Sequence, residues 1–233
     1  MDTTILPKQV DSAELEQKVK KMCKDVAQEP FREYHFEMGR GLAEKLGYEV
    51  SLLDAIPAPA IDSFAGVGHY FHLADIKPGE KVLDLGSGSG MDSFIAALKT
   101  GKTGTVTGID MTDEQLEKSR RLAAEKGITN VSFIKGYIEK LPFADSTFDV
   151  IISNGVINLC TDKAKVFLEA YRILKPGGRL AFADIITEKQ LPENVVCNST
   201  LWASCIGGAA QQDSYQNDIK SAGFKITKFI GNT

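Results

Sequence analysis

The sequence predicts an α/β fold, a parallel sheet with helices packed on both faces and a helical extension in front. Three observations predict it. Lys81–Leu85 is an apolar run closed by a carboxylate one residue before its end, as in a strand buried on both faces. Gly86, Gly88 and Gly90 follow at alternate positions, and Met91–Leu98 then carries apolar residues at helical spacing. Finally, strand-like and helix-like segments alternate from there to about residue 184, the pattern that builds a parallel sheet.

The chain has 233 residues, enough for one α/β domain and an N-terminal extension. Hydrophobic residues at 43% supply a core, and a net charge of −4 argues against a nucleic-acid-binding face. No apolar run is long enough to span a bilayer, and no signal-peptide pattern opens the chain, so no membrane partner is expected. Cys23, Cys160, Cys197 and Cys205 form no C-x-x-C pair or dense framework, which points to a reducing, cytoplasmic setting.

Met1–Val10 carries little pattern. Asp11 or Ser12 caps a first helix whose apolar stripe includes Val19, Met22, Cys23 and Val26, and Pro30 stops it. Cys23 on that stripe reads as core packing. Glu33–Leu46 reads as a second helix ended by Gly47 and rich in Tyr34, His35, Phe36 and Arg40. It is either an aromatic face docked on the core or a lid over a substrate. Leu52–Ile56 is a short apolar turn before Pro57 and Pro59. Ile61–Phe71 mixes Gly66 and Gly68 with Phe64, His69, Tyr70 and Phe71, the composition of a loop over a ligand. Residues 1–75 are therefore assigned to the helical extension and lid, and 76–233 to the main domain.

Within that domain the strand, glycine turn and helix around Gly86, Ser87 and Gly88 suit a nucleotide-like ligand, because backbone approaches closely and the helix start offers free N–H groups. Asp84 is a strand-end carboxylate in need of a partner. Thr105–Asp110 is strand two. Its final Asp110 is placed to accept ribose hydroxyls, with Met111 on the base face and Gln115 in the first turn of helix Glu114–Lys126. Asn130–Lys135 is strand three, and Val150–Ser153 is strand four. Beyond its tip, Asn154 and Asn158 face the site. Asp162–Leu174 is a helix, Lys175–Gly178 a tight turn, Arg179–Asp184 strand five, Gln212–Ala222 a last helix and Phe224–Phe229 a last strand. The irregular stretch around 187–210, with Trp202 and Cys205, reads as a substrate-recognition insertion.

The D-L-G-S-G-S-G run from Asp84, the L-P-F-x-D-x-x-F-D phrase from Leu141 and the L-K-P-G-G-R-L phrase from Leu174 resemble class I S-adenosylmethionine methyltransferases. The resemblance implies a Rossmann-like class I methyltransferase sheet, S-adenosylmethionine as cofactor and a small-molecule acceptor. It implies that the glycine loop wraps the amino-acid end of the cofactor, with Asp84 ordering the loop or meeting the ammonium. Ile138 and Glu139 take the places that meet the adenine. The family's sheet has one more strand than this sequence offers, so the chain either is truncated before the last strand or closes its sheet differently.

S-N-G-V-I-N-L-C from Ser153 and L-W-A-S-C-I-G-G-A from Leu201 further resemble arsenite methyltransferases. Of that family's three arsenic-binding thiols, two fall on Val67 and Gly155 here, and Cys205 remains. A metalloid reaction would then need Cys160, Cys197 and Cys205. A non-catalytic regulator that binds S-adenosylmethionine is the other alternative. Tyr34, His35, Phe64, Tyr70, Asn158, Trp202 and Cys205 are the expected acceptor-side residues. His69 is the candidate base for an acceptor that carries a proton.

Overall fold

The computed structural model describes residues 10–203 and 205–231, so most of Met1–Val10 and Ser204 lie outside the described residues. Helix α1 is Ser12–Gln28; the Asp11 carboxylate caps it by accepting from the N–H groups of Ala13 and Glu14. Four short helices follow: α2 Gly39–Lys45, α3 Val50–Ala55, α4 Ala58–Asp62 and α5 Phe71–Ala74. Then come β1 Lys81–Leu85, α6 Met91–Thr100, β2 Thr105–Asp110, α7 Asp113–Lys126, β3 Val131–Lys135 and β4 Phe148–Asn154. A 3₁₀ turn at Ile157–Leu159 leads to α8 Lys163–Ile173 and β5 Leu174–Ala183. The chain continues through β6 Ile186–Thr187, α9 Glu193–Val196, α10 Ser199–Ala203, β7 Ala210–Gln211 and α11 Gln212–Ser221.

Among the described residues the main sheet has five parallel strands in the order β3-β2-β1-β4-β5. The order reverses between β1 and β4, so a crevice opens beyond the carboxyl ends of β1, β2 and β4. Strand alternation divides the core. Val82, Val106, Val150 and Ile152 pack against α6 and α3–α5; Leu83, Leu85, Ile109 and Ile151 pack against α8 and α11. Asp84 shares the face of Val82 and so points toward α6.

Four expected elements differ. The helix expected at Glu33–Leu46 begins only at Gly39. Met38 is extended and Gly39 turns to φ +80°, so that its N–H donates to Phe64 O at 2.8 Å; Tyr34–Glu37 is an irregular loop. The apolar stretch at Leu52–Ile56 is helical, as most of α3. Among the described residues the stretch expected as a strand at Phe224–Phe229 pairs with no other strand. Phe224 and Ile226 instead rest on the α8–α11 side of the core, with Phe224 edge-on to Tyr171. The Lys175–Gly178 turn is a bulge inside β5: Leu174 opposes Phe148, while Arg179 opposes Val150.

Arg172 on α8 fastens the 141–145 loop. It donates to Leu141 O, Phe143 O, Asp145 and both oxygens of Glu169. Arg172→Ala is expected to cost about 1–2 kcal/mol, allowing for partial exposure of the group. The guanidinium holds the Glu169 carboxyl below its usual range. A lowered folded-state pKa stabilises above the unfolded value, and that contribution is lost as pH falls through the folded one. The variant's deficit in thermal midpoint should therefore shrink on acidification; a deficit equal at neutral and acid pH would overturn the assignment.

Candidate active site

At the tip of β1, Asp84 is buried and accepts from Ser93 Oγ at 2.6 Å. The next residues turn sharply. Gly86 and Ser87 N–H both donate to Ile109 O (2.8 and 3.0 Å), and Gly86, Gly88 and Gly90 all have positive φ. Gly90 in the left-handed region opens α6. The neighbouring tip of β2 holds the loop: Asp110 accepts from Gly88 N–H at 2.9 Å and Thr112 N–H at 2.8 Å.

The loop opens on a cavity of about 650 Å³, within the range of small-molecule sites. All ten expected cofactor residues line it: Asp84, Gly86, Ser87, Gly88, Asp110, Met111, Gln115, Ile138, Glu139 and Asn154. Besides Asp84 and Asp110, two of these have their side-chain polar groups engaged by protein. Gln115 accepts from Ser89 Oγ and donates to Cys23 O, which joins the glycine loop to α1. Asn154 accepts from Val67 N–H and donates to Gly68 O, Tyr48 Oη and Asp92, which clamps the 64–68 loop onto the tip of β4.

Of the expected acceptor-side residues, His35, Phe64 and Cys205 line the cavity and four do not. Tyr34 stacks on Phe36 and donates to Glu29 O. Tyr70 is buried with its hydroxyl on Asp92. Trp202 Nε1 donates to Asn158 O, and Asn158 Nδ2 donates to Cys205 O, so this pair supports the cavity wall from behind. His69 is a correction. It leaves the cavity where Asn154 pins Gly68 and instead lies edge-on to Tyr48 and stacks on His72 in a separate small pocket with Glu49 and Lys99. Burial, His72 and Lys99 hold its pKa below the usual histidine value. It does not line the main cavity.

The thiols are also redistributed. Cys160 and Cys205 line the cavity, Cys197 does not, and Cys23, expected in the core, does. Burial raises the pKa of all three cavity thiols, which keeps them protonated. Among the described residues no three metal-binding side chains converge on a point. Val67 and Gly155 face each other: a Cβ on Gly155 would lie 3.2 Å from Val67 Cγ1.

Sequence reasoning missed Asp92, in the first turn of α6. Its carboxylate lines the cavity and accepts from Tyr48 Oη (2.8 Å), Tyr70 Oη (2.7 Å) and Asn154 Nδ2 (3.1 Å). Burial raises both Asp84 and Asp92, Asp84 well above its ordinary value and further because of the Asp92 charge; the hydrogen bonds from Tyr70, Asn154 and Tyr48 oppose the rise at Asp92. Burial raises Asp110 as well, opposed by the N–H groups of Thr112 and Gly88.

The fold and this cavity define an S-adenosylmethionine-type methyltransferase domain, and the profile of the methyltransferase domain family matches residues 76–223. The chain belongs to that family. Within it, the chain is similar to arsenite methyltransferases. It is 39% identical to that of Halobacterium salinarum over 186 residues, covering 80% of this chain and 47% of the relative. The crystal structure of the arsenic(III) S-adenosylmethionine methyltransferase of Chlamydomonas reinhardtii superposes with a TM-score of 0.69 at 40% identity, covering 74% of this chain and 60% of that one. A ubiquinone/menaquinone C-methyltransferase of Psychromonas ingrahamii is 42% identical over 114 residues, 48% of this chain and 45% of the relative. The chain spans about half the length of the curated relatives it matches. No helix among the described residues is long and apolar enough to cross a membrane.

Proposed function

We propose that this chain transfers a methyl group from S-adenosylmethionine to a small-molecule acceptor. The observation that carries the reading is one cavity lined jointly by the glycine turn, the strand-end Asp110 and the buried pair Asp84 and Asp92. The residues fit the cofactor: carboxylates with no basic partner among the described residues suit its ammonium, Asp110 its ribose, and Met111 and Ile138 its base. S-adenosylmethionine supplies, when bound, a methyl group on a good leaving group, so alignment and exclusion of water matter most.

The chain's own residues supply these. Val67, Gly155 and Val156 form a close wall beside Gly86. Helix α1 closes the cavity with Leu15, Val19 and Met22, and is tied down by Gln115 on Cys23 O, Lys118 on Ala27 O and Ser63 on Val26 O. The N-terminal extension thus serves as the lid, and Cys205 and Ile206 bring the 187–210 insertion to the acceptor. Neither histidine is a buried base for the acceptor: His69 lies in the separate pocket, and His35, which lines the cavity, is exposed.

Trivalent arsenic as acceptor is the second reading, favoured by the arsenite methyltransferase relatives; Cys23, Cys160 and Cys205 line the one cavity without converging on a point. The test is methyl-label transfer with arsenite, small thiols and quinols, beside calorimetry with S-adenosylhomocysteine and NAD. Homocysteine-product binding with label transfer to one acceptor is expected, and NAD should not bind. Binding without transfer to any acceptor would leave a regulator. Arsenite turnover that survives Cys205→Ser unchanged would remove the thiol reading.

A further inference from the structure

We infer that the acceptor end of the cavity selects a small acceptor with an apolar body and no anionic group. This deepens the reading of the cavity as an S-adenosylmethionine methyltransferase site and rests on it.

The cavity is lined by charge of one sign. Glu16, Glu37, Asp84, Asp92, Asp110 and Glu139 face it, and among the described residues no lysine or arginine does. His35 is the only histidine among the described lining residues, and it is exposed to water. Lysines on the surrounding elements are engaged elsewhere. Lys20 of α1 donates to Glu16 and to Tyr137 Oη, and Lys45 of α2 to Glu37. Lys118 of α7 donates to Ala27 O and Ser63 Oγ. Lys163 of α8 donates to Cys160 O, and its ammonium lies over the Trp202 ring. Glu16 and Glu37 are thereby paired. Asp84, Asp92 and Asp110 are buried, and their donors among the described residues are all neutral.

The wall beside the glycine loop is hydrocarbon, built from Phe64, Val67 and Val156. Its nearby donors are already committed. Asn154 Nδ2 donates to Tyr48 Oη, Gly68 O and Asp92, and Tyr48 Oη donates to Asp92. Behind Cys205, Trp202 Nε1 donates to Asn158 O and Asn158 Nδ2 to Cys205 O. Ser87 Oγ is buried and without a partner, but it belongs to the glycine loop, on the cofactor side.

A carboxylate or phosphate carried on the acceptor would therefore leave water and find neither a cation nor a free donor. An unpaired buried charge is strongly unfavourable, and neighbouring carboxylates add repulsion. The cofactor's sulfonium gives no relief, because the attacking atom itself occupies that contact. An uncharged apolar body loses little hydration and gains burial against Phe64, Val67 and Val156. Selection thus works by rejection as well as by contact.

The test uses protein loaded with S-adenosylhomocysteine and probes matched in size. One set is propanethiol, aminopropanethiol and mercaptopropionate; the other is methylhydroquinone, aminomethylhydroquinone and dihydroxybenzoate. Calorimetry or saturation-transfer NMR reads their affinities at neutral pH. The carboxylate members should bind about a hundredfold or more weaker than the uncharged ones, the mark of an unpaired buried charge, with the ammonium members less affected. Ile206 lines the cavity at a half-exposed position of the insertion, so a lysine is sterically tolerable there. Ile206→Lys supplies the missing cation and should narrow the gap about tenfold or more, whereas the uncharged Ile206→Gln should leave it. Circular dichroism checks that both variants fold. Carboxylate members that bind as well as the uncharged ones, or a gap that the two substitutions change equally, overturn the inference while the cofactor site stands. Binding by no member of either set overturns the apolar acceptor site. Failure of S-adenosylhomocysteine itself to bind overturns the cofactor reading and the inference with it.

Discussion

Gly86→Val is expected to lose measurable S-adenosylhomocysteine binding while the chain stays folded. Two costs act at one atom. Gly86 sits at φ +67°, a region that costs an ordinary L-residue about 1–2 kcal/mol, and a β-branched one suits it poorly. A Cβ there would also lie 2.5 and 2.6 Å from the two methyl groups of Val156. Overpacking of that kind costs roughly 1–3 kcal/mol. Val156 cannot step aside freely, since Gly155 N–H is held by Ala183 O at 2.9 Å. The strain therefore goes into the glycine loop. A combined loss of about 2–5 kcal/mol means roughly thirty- to several-thousand-fold weaker binding. Calorimetry measures it, with circular dichroism as the check on folding. Gly86→Ala with Val156→Ala removes the two methyl contacts, leaves the 3.0 Å approach to Cβ of residue 156 and keeps the dihedral cost, so it should recover part of the affinity. A Gly86→Val protein that binds as the parent does would show that the loop is no cradle.

The parts of this site written into contiguous sequence were legible. An apolar run, alternate glycines and a helical stripe lie within eighteen residues, 81–98, and the structure returns β1, the turn and α6 in that order. Asp110 was legible because the end of a parallel strand has a defined direction. Asp92 was not, because its meaning depends on Tyr48 and Tyr70, 44 and 22 residues away. His69 misled for a related reason. A glycine and aromatic loop has two sides, and only the Asn154 clamp on Val67 and Gly68 decides which side reaches the cavity. Cys23 lies on a buried stripe, and periodicity cannot tell a wall of core from a wall of cavity. The expected strand at Phe224–Phe229 shows the limit on the fold side: a strand is made by its partner, and half-buried Phe224 and Ile226 satisfy the same alternation by resting on α8 and α11.

Asp110→Ala should weaken S-adenosylhomocysteine binding by about 1–3 kcal/mol, the usual consequence of leaving buried partners unsatisfied. The carboxylate does two jobs in the geometry. It holds the glycine loop through Gly88 N–H and starts α7 through Thr112 N–H, and it lines the cavity where the ribose is expected. A simple loss of affinity does not separate them. The ratio of affinities for S-adenosylhomocysteine and its 2′-deoxy analogue does. If Asp110 accepts from the ribose, the parent prefers the hydroxylated ligand and the variant loses that preference, because the missing hydroxyl no longer has a partner to miss. Asp110→Asn, which keeps the volume and one acceptor oxygen, should fall between them on both measures. If the preference survives in Asp110→Ala while affinity drops, the residue acts only through the loop, and the sugar lies against another part of the β2 edge.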